Sequence, residues 1–227
     1  DPTLRVLEII PFKPGGADGA GLFAYLGELP PPHLHAGEAL QAPVLVLPNV
    51  FEPAFCRTLI DLHTADGGRD TGFMSEVDGK TVERVDPARK RRRDCIVQDE
   101  DVILTVHRWI TRRIVPEIAR VFFFDATRIE RYLVGCYRAE DGGHFTAHRD
   151  NTTKGTAHRR FAVSINLNDD FDGGEVSFPE YGPRGFKPPI GGAVVFSCSL
   201  MHAVSAVSRG RRYAFLPFLY DDNAARI

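Results

Sequence analysis

The chain has 227 residues, 43% of them hydrophobic and 26% charged, which is the composition of a globular protein large enough for one sizeable domain. Its formal net charge of −2 excludes a global basic field that would attract nucleic acid or anionic membranes. The sequence contains no apolar run of about 18 residues, so no membrane span is predicted. The four cysteines show no Cys-x-x-Cys spacing and no secretory signal precedes them, so we expect free thiols in a cytoplasmic protein rather than a structural zinc site.

Residues 1–42 are predicted to form an N-terminal tail and linker. They are rich in Gly, Pro and Ala, as in "KPGGADGAG" and "LPPPHLHAG", with room for one short helix over Leu22–Leu29. The chain begins at Asp1 with the strand-like run "LRVLEIIPF", so we interpret this part as the remnant of an upstream domain. His33 and His35 lie in the Pro-rich linker and are expected to have no functional role.

Helical and hairpin patterns follow in the first half of the remaining chain. A strand is predicted at Pro43–Leu47, and Pro53 suits the first turn of the helix after it. Asp78–Gly79 in "VDGKTV" predicts a hairpin turn. Apolar residues at helical spacing predict a longer helix over Gln98–Arg113, and Pro116 is expected to begin a new helical turn or kink the old one.

Beyond residue 122 the periodicity changes from that of a helix to that of a strand. The runs "IERYLVGCY", "RFAVSINLN", "GEVSFPEY", "AVVFSCS" and "RRYAFLPFLY" are rich in β-branched and aromatic residues and are separated by Gly, Pro, Asp and Asn. Strands at this spacing with no helices between them favour an antiparallel sandwich or jelly roll. The pattern therefore predicts an α+β protein with its helices first and its barrel second.

One group of polar residues in the strand region has the composition of a metal site. His148 and Asp150 form a His-x-Asp pair, which alone is weak because such pairs arise by chance. His202 follows in a later strand segment, and Arg212 stands ten positions after it. Two histidines and one carboxylate can hold Fe(II) on one face and leave positions open, while an arginine can bind a carboxylate with two parallel hydrogen bonds.

In these residues the sequence resembles the Fe(II)/2-oxoglutarate-dependent dioxygenases, in particular their prolyl 4-hydroxylase-like branch. The matching stretches are "VGCYRAEDGGHFTAHRDN", "VSINLNDDFDGGEVSFPEYG" and "GGAVVFSCSLMHAVSAVSRGRRYAF", within residues 134–215. The resemblance implies a dioxygenase domain over residues 43–227, folded as a double-stranded β-helix (jelly roll) with a supporting N-terminal helical layer. It also implies that His148, Asp150 and His202 bind iron.

The same resemblance implies the cosubstrate and the reaction. Arg212 is expected to pair with the far carboxylate of 2-oxoglutarate, Tyr137 to hydrogen-bond the same molecule, and Asn166 to line its pocket. The cofactors implied are Fe(II), 2-oxoglutarate and O2, with ascorbate as a further candidate. The implied reaction hydroxylates an unactivated C–H bond of a prolyl residue or a small molecule and releases succinate and CO2. Some bacterial members follow a thioredoxin-like domain, which the N-terminal run resembles.

Other polar residues have two readings each. The basic run "ARKRRRD", Ala88–Asp94, is either a solvated loop or a substrate-facing loop whose Arg93 and Asp94 reach inward. His144 lies in a strand pattern, where residues four apart are too far from each other to share one ion with His148, so it is interpreted as a pocket-rim or structural residue.

Two other functions stay open at this point. A non-catalytic cupin-like module that binds a metal or ligand would share the histidines and the carboxylate. A nucleic-acid repair oxygenase would share them as well, but the net charge and the single short basic run make nucleic acid an unfavoured partner. The expected partner is a small-molecule or peptide substrate, and no motif specifies which one or the oligomeric state.

Overall fold

The computed structural model describes residues 6–11, 19–31 and 40–224. The linker segments at 12–18 and 32–39, including His33 and His35, lie outside the described residues. None of the helices within the described ranges is both long and apolar enough to cross a membrane.

Within the residues that the structure describes, four α-helices precede residue 123. They are α1 (Gly19–Glu28), α2 (Pro53–Asp66), α3 (Glu100–Arg113) and α4 (Val115–Phe122). Pro53 occupies the first turn of α2 as predicted, and α2 ends at Gly67, whose φ of 81° suits a residue without a side chain. The α3 helix begins two residues later than predicted because the Asp99 carboxylate caps it by accepting a hydrogen bond from the Val102 N–H at 3.0 Å.

The strands form two facing antiparallel sheets and two short ribbons. In chain order they are β1 (Leu45–Leu47), β2 (Arg69–Asp70), β3 (Phe73–Val77), β4 (Lys80–Arg84), β5 (Lys90–Arg91), β6 (Arg93–Ile96), β7 (Arg128–Glu130), β8 (Leu133–Arg138), β9 (His144–His148), β10 (Phe161–Asn166), β11 (Asp172–Gly173), β12 (Val176–Ser177), β13 (Gly185–Phe186), β14 (Ala193–Ser197), β15 (His202–Val204), β16 (Val207–Arg209), β17 (Arg211–Phe215) and β18 (Phe218–Tyr220). The major sheet has the order β1-β14-β10-β17-β8-β6-β2, with β18 and β7 attached, and the minor sheet has the order β13-β12-β15-β9-β5.

The side chains of β10 alternate between two hydrophobic cores, one on each face of the major sheet. Phe161, Val163 and Ile165 pack with the buried faces of α2, α3 and α4, while Ala162 belongs to the core between the two sheets. Successive side chains of a strand point to opposite faces, so one strand can serve both layers. The predicted double-stranded β-helix with a supporting helical layer is confirmed.

Local sequence explains two further features. The predicted hairpin is confirmed: β3 pairs with β4 through Asp78 and Gly79, whose φ values of 51° and 72° are those of a tight hairpin turn. The run "GEVSFPEY" is shorter as a strand than its pattern suggests. Only Val176–Ser177 pairs, because Pro179, which has no N–H for a ladder, starts a turn of 3₁₀-helix.

Candidate active site

The pairing of β9 with β15 brings two of the predicted site residues together. His148 is the last residue of β9 and lies opposite His202, the first residue of β15, in the antiparallel register. Their ring centroids are 4.2 Å apart, and both side chains are largely buried, with 8% and 7% of their surface exposed. Residues far apart in the sequence therefore meet at one edge of the minor sheet.

Asp150 completes the group from the loop after β9. Its backbone N–H donates to the Cys198 carbonyl at 3.0 Å, which fixes the loop beside β14. One carboxylate oxygen lies 3.6 Å from His148 Nε2 and the other lies 3.3 Å from His202 Nε2. One ligand atom from each of the three residues lies within 4.8 Å of the others, which is the spacing of donors around a single ion.

Backbone carbonyls fix the orientation of both imidazoles. His148 Nδ1 lies 2.7 Å from the Thr146 carbonyl oxygen, and His202 Nδ1 lies 3.0 Å from that of Leu200. Because a carbonyl only accepts, each neutral ring carries its proton on Nδ1 and presents an unprotonated Nε2 toward Asp150. The tautomers are those that a metal ligand requires.

Burial and neighbouring charges favour the ligand forms of these groups. Burial lowers the pKa of His148, and the nearby His202 lowers it further. Burial alone would raise the pKa of the Asp150 carboxyl, but the positive charge that the two facing imidazoles carry when protonated holds it well below its usual range. The Phe145 ring stacks on His148 at 3.5 Å between centroids and thereby excludes water from that side.

Arg212 forms a second part of the site, in β17 of the major sheet. Its side chain is only 1% exposed, its Nε donates to Asn166 Oδ1 at 3.0 Å, and one terminal nitrogen donates to Ser164 Oγ at 2.7 Å. The other terminal nitrogen, NH1, is buried and has no hydrogen-bond partner. A buried, unsatisfied guanidinium nitrogen is costly in the free protein, and a ligand carboxylate would satisfy it.

Tyr137 lies beside Arg212 because the two residues are paired in the register of β17 and β8. The Arg212 guanidinium carbon is 5.3 Å from the centre of the Tyr137 ring, and the phenol oxygen accepts a hydrogen bond from Arg92 at 3.3 Å. A narrow cavity of about 50 Å³ borders the side chains of the histidine–aspartate group and extends to Tyr137 and Ser164. Its size suits the end of a small linear molecule.

Asn166 lies behind Arg212 instead of lining this cavity. Its amide nitrogen donates to the Pro188 carbonyl at 2.8 Å while its amide oxygen accepts from Arg212, so both ends are engaged in protein contacts. Asn166 thus positions the Arg212 guanidinium. Ser164 lines the cavity instead, and the sequence analysis did not predict this residue. Alternation along β10 is the signal that could have found it, because Ser164 and Asn166 share one face of that strand.

The basic run does not form a solvated loop. It contains β5 and β6, and Lys90, Arg92 and Asp94 are buried while Arg93 lies on the opposite face and donates to the Gly68 carbonyl. Of the two residues expected to reach inward, Asp94 is buried, whereas Arg93 lies on the other face of β6. Residues two apart on a strand share a face, so Arg92 and Asp94 form the inward pair.

His144 has the structural role expected for it. Its ring nitrogens lie 2.7 Å from the Gly142 carbonyl and 3.1 Å from the Ala88 carbonyl, and it is not part of the His148 group. The ring thereby links the start of β9 to the loop before β5.

The Asp94 carboxylate stabilises a buried cation pair, which gives the fold a specific pH dependence. Arg92 binds it through two nitrogens at 2.5 and 2.8 Å, and Lys90 lies 3.5 Å away. Burial alone would raise the pKa of Asp94, but Arg92 and Lys90 lower it from 3.8 to about 2. A depressed folded pKa means that this stabilisation is complete above about pH 4 and is lost as the pH falls toward 2.

We therefore expect Asp94→Asn to lower the free energy of unfolding by about 2 kcal/mol more at pH 6 than at pH 2. Urea unfolding with EDTA present measures this difference without a contribution from bound metal. Asp61→Asn, at an exposed position on α2, is the matched control and is expected to show a pH-independent difference. Equal pH dependence in the two variants would contradict the role of Asp94.

Comparison with known proteins shows which family the segment around this site resembles. The sequence profile of the 2OG-Fe(II) oxygenase superfamily matches residues 132–220, which include every residue that lines the narrow cavity except Arg131. This part of the chain, less than half of its length, is therefore similar to that superfamily. Among curated proteins, a PKHD-type hydroxylase of Pseudomonas fluorescens (strain Pf0-1) is 38% identical over 91 residues, which cover 36% of this chain and 39% of the relative. The matched stretch thus spans about two fifths of that relative's length.

Solved structures of the superfamily share the fold. A prolyl hydroxylase from Trichoplax adhaerens, in complex with a peptide fragment of the hypoxia inducible factor oxygen degradation domain, superimposes with a TM-score of 0.61 at 14% identity. The match covers 92% of this chain and 96% of that one. The viral collagen prolyl hydroxylase of Paramecium Bursaria Chlorella virus-1 gives a TM-score of 0.58 at 16% identity, with 78% and 94% covered.

Proposed function

We propose that this chain is an Fe(II)- and 2-oxoglutarate-dependent hydroxylase of the 2OG-Fe(II) oxygenase superfamily. His148, Asp150 and His202 would hold the iron, and Arg212 would bind the far carboxylate of 2-oxoglutarate. The observation that carries the proposal is the combination of a two-histidine, one-carboxylate donor set with a buried guanidinium that lacks one hydrogen-bond partner. A site that binds only a metal would not require the buried guanidinium of Arg212.

The residues of the chain suit that chemistry. Fe(II) with 2-oxoglutarate and O2 supplies the oxidant that hydroxylates an unactivated C–H bond, with release of succinate and CO2. The protein contributes three ligands on one side of the ion, a fixed cation for the cosubstrate, and a cavity with apolar walls. Phe145 and Phe196 pack against the two histidine rings, with Phe196 at 4.6 Å from His202, and keep solvent from the ligands.

The substrate is proposed to be a prolyl residue of a peptide or a small molecule. The relatives named as prolyl hydroxylases support this class, and one of them is described with a bound peptide fragment. Ascorbate is proposed as the reductant that sustains turnover by keeping the iron ferrous. All four cysteines are unpaired and buried, which supports a reducing, cytoplasmic location.

The catalytic domain is proposed to comprise residues 43–227, with residues 1–42 as a tail. In support, β1 pairs with β14 in the major sheet, whereas α1 has no buried residue. The tail would then contribute little to the stability of the barrel.

Succinate formation tests the proposed function. The purified chain with Fe(II) and ascorbate is expected to bind 2-oxoglutarate and to convert it to succinate and CO2, slowly without substrate and faster with it. A non-catalytic cupin-like barrel would retain the metal and produce no succinate under any condition. Failure to bind 2-oxoglutarate would refute the proposal, whatever the metal content.

Tyr137→Phe is expected to raise the KM for 2-oxoglutarate about three- to tenfold and to leave kcat within about twofold, because a neutral hydrogen bond contributes about 1 kcal/mol. The ring, and with it the packing against Arg212, is retained. Tyr213→Phe is the control, since Tyr213 packs in the helix-facing core. A change in kcat without a change in KM would contradict a binding role for the phenol. Steady-state kinetics at varied 2-oxoglutarate concentration distinguish these outcomes.

A further inference from the structure

A cleft of about 320 Å³ opens beside the candidate metal site. His148 and Asp150 form part of its wall, and Phe145 and Phe218 separate it from the narrow cavity. Its lining is strongly basic. The cationic residues that line it are Arg89, Lys90, Arg92, Arg131, Arg149 and Arg159.

Most of these cations have a carboxylate partner outside the cleft. Lys90 and Arg92 share Asp94, as described above. Arg159 donates to Glu130 at 2.5 Å, and Arg149 donates to Glu180 at 2.6 Å. Glu130 and Glu180 offset the charges of Arg159 and Arg149, and Asp94 offsets one of the two charges of Lys90 and Arg92. Burial lowers the pKa of Lys90 to about 7, which reduces the remaining charge at neutral pH. Arg89 lies at the mouth, where its guanidinium is 4.2 Å from the Phe73 ring centre.

Arg131 differs from the four cations that have a carboxylate partner and from Arg89, which is exposed. Within the described part of the chain it forms no ion pair, its Nε is buried without a hydrogen-bond partner, and one terminal nitrogen makes only a long contact of 3.4 Å with the Leu216 carbonyl. Its guanidinium carbon lies 4.5 Å over the Phe218 ring. Alone among the cleft cations, Arg131 also lines the narrow cavity. It therefore stands where a substrate passing from the cleft to the metal would meet it.

The surroundings of Arg131 are energetically unfavourable in the protein without a bound ligand. Burial and, to a smaller extent, the nearby Arg92 and Arg159 together lower the pKa of Arg131 to about 10, so the group is still cationic at neutral pH. Its φ of 71° lies in the left-handed region, which is unfavourable for a residue with a side chain. Such strain is found preferentially at functional sites. A buried cation without a counterion is stabilised when an anion binds.

We propose that the substrate carries a carboxylate and that Arg131 binds it next to the C–H bond to be hydroxylated. This inference rests on the proposed function and names the substrate class of the same site. The occupant is a small or peptidic carboxylate, because the unpaired charge lies inside a confined cleft and not along an exposed basic stripe of the kind that binds nucleic acid. Specificity then arises because a neutral analogue leaves the guanidinium unpaired.

Matched pairs of acids and amides test the proposal. N-acetylproline and N-acetylprolinamide, and the same pair built on leucine and on glutamate, differ at one carboxyl group. Their binding is measured by calorimetry to the anaerobic protein with Fe(II) and saturating 2-oxoglutarate, so that Arg212 is occupied. At least one acid is expected to bind about tenfold or more tightly than its amide, as a charge-assisted hydrogen bond predicts. Its addition should also accelerate succinate formation.

Arg131→Gln is expected to abolish that preference, and Arg131→Lys to retain part of it. Both variants carry the same backbone strain as the parent, since all three residues have a side chain at a positive φ. Arg108→Gln, at an exposed position on α3, is the matched control and should keep the preference. Equal binding of every acid and amide, or a preference that survives in Arg131→Gln, overturns the proposal.

The two proposals fail in different ways. If 2-oxoglutarate does not bind, the proposed function is refuted; if it binds and is turned over without any acid preference, only the role of Arg131 is refuted. A single-stranded DNA oligonucleotide serves as a phosphate probe in the same experiment. Binding of the oligonucleotide in place of the acids, lost in Arg131→Gln, would overturn the carboxylate assignment in favour of nucleic acid.

Discussion

Asp150→Asn is expected to lower the affinity for Fe(II) by more than about 100-fold, because removing even an outer partner of a metal ligand typically costs 10- to 100-fold. The substitution keeps the shape of the side chain and removes its charge, so two neutral imidazoles must hold a divalent cation alone. Succinate formation is expected to fall by about 1,000-fold or more at metal concentrations that saturate the parent. Metal titration and turnover on the same preparation measure both effects.

Asp172→Asn is the matched control for this substitution. Asp172 pairs with Arg209 at 2.6 Å on the exposed surface, and such pairs contribute about 0–1 kcal/mol to stability. This variant makes the same chemical change and is expected to bind metal and to turn over like the parent. Normal Fe(II) affinity in Asp150→Asn would show that the carboxylate is not a ligand and would remove the basis of the proposed iron site.

Arg212→Gln is expected to raise the KM for 2-oxoglutarate by about 100-fold or more. The parent side chain can offer a charged, two-point contact, and each charge-assisted hydrogen bond contributes about 1.5–3 kcal/mol. Because Asn166 and Ser164 lose their shared partner, a stability loss of about 2 kcal/mol is expected as well. Direct binding of 2-oxoglutarate to the folded variant, with folding checked by circular dichroism, separates the two effects.

Arg211→Gln provides the control from the neighbouring position of the same strand. Arg211 points to the exposed face of β17 and pairs with Glu140 at 2.7 Å, so its loss is expected to leave the KM unchanged. Arg212→Lys keeps a charge but lacks the planar fork, and an intermediate KM is expected. Unchanged affinity for 2-oxoglutarate in a folded Arg212→Gln would refute the anchoring role.

The barrel and the ligand group could be predicted because their signals are local. Period-two alternation marks strands such as β10, and His148 and Asp150 lie two residues apart at the end of one of them. The spacing in the sequence could not connect His202 to His148 and Asp150, and only the resemblance to a family did so. The β9–β15 register gives the physical reason, because it places His202 opposite His148. The α3 helix begins two residues later than predicted because the Asp99 cap determines its first residue, whereas apolar periodicity does not mark where a helix begins.

The charge pattern of the cleft could not be predicted. Whether an arginine is paired depends on which carboxylate lies across a sheet, and pairs such as Arg159 with Glu130 join segments 29 residues apart. In the run Ala88–Asp94, composition alone left a solvated loop and a substrate-facing loop open, because the burial of Lys90 and Arg92 depends on Asp94, Thr71 and the Gly72 carbonyl behind them. Arg131 shows no signal in the sequence, because its isolation is a property of the folded surroundings.

Cys198, whose backbone carbonyl accepts a hydrogen bond from the Asp150 loop, also affects how well the protein resists oxidative inactivation. Cys198 is fully buried, and burial raises the pKa of its thiol well above the ordinary value. Peroxides and related by-products of ferrous iron and O2 attack the thiolate, and a thiol that stays protonated reacts slowly. The Cys198 thiol is thus protected from such oxidation during prolonged turnover, although its backbone carbonyl holds the loop that carries Asp150.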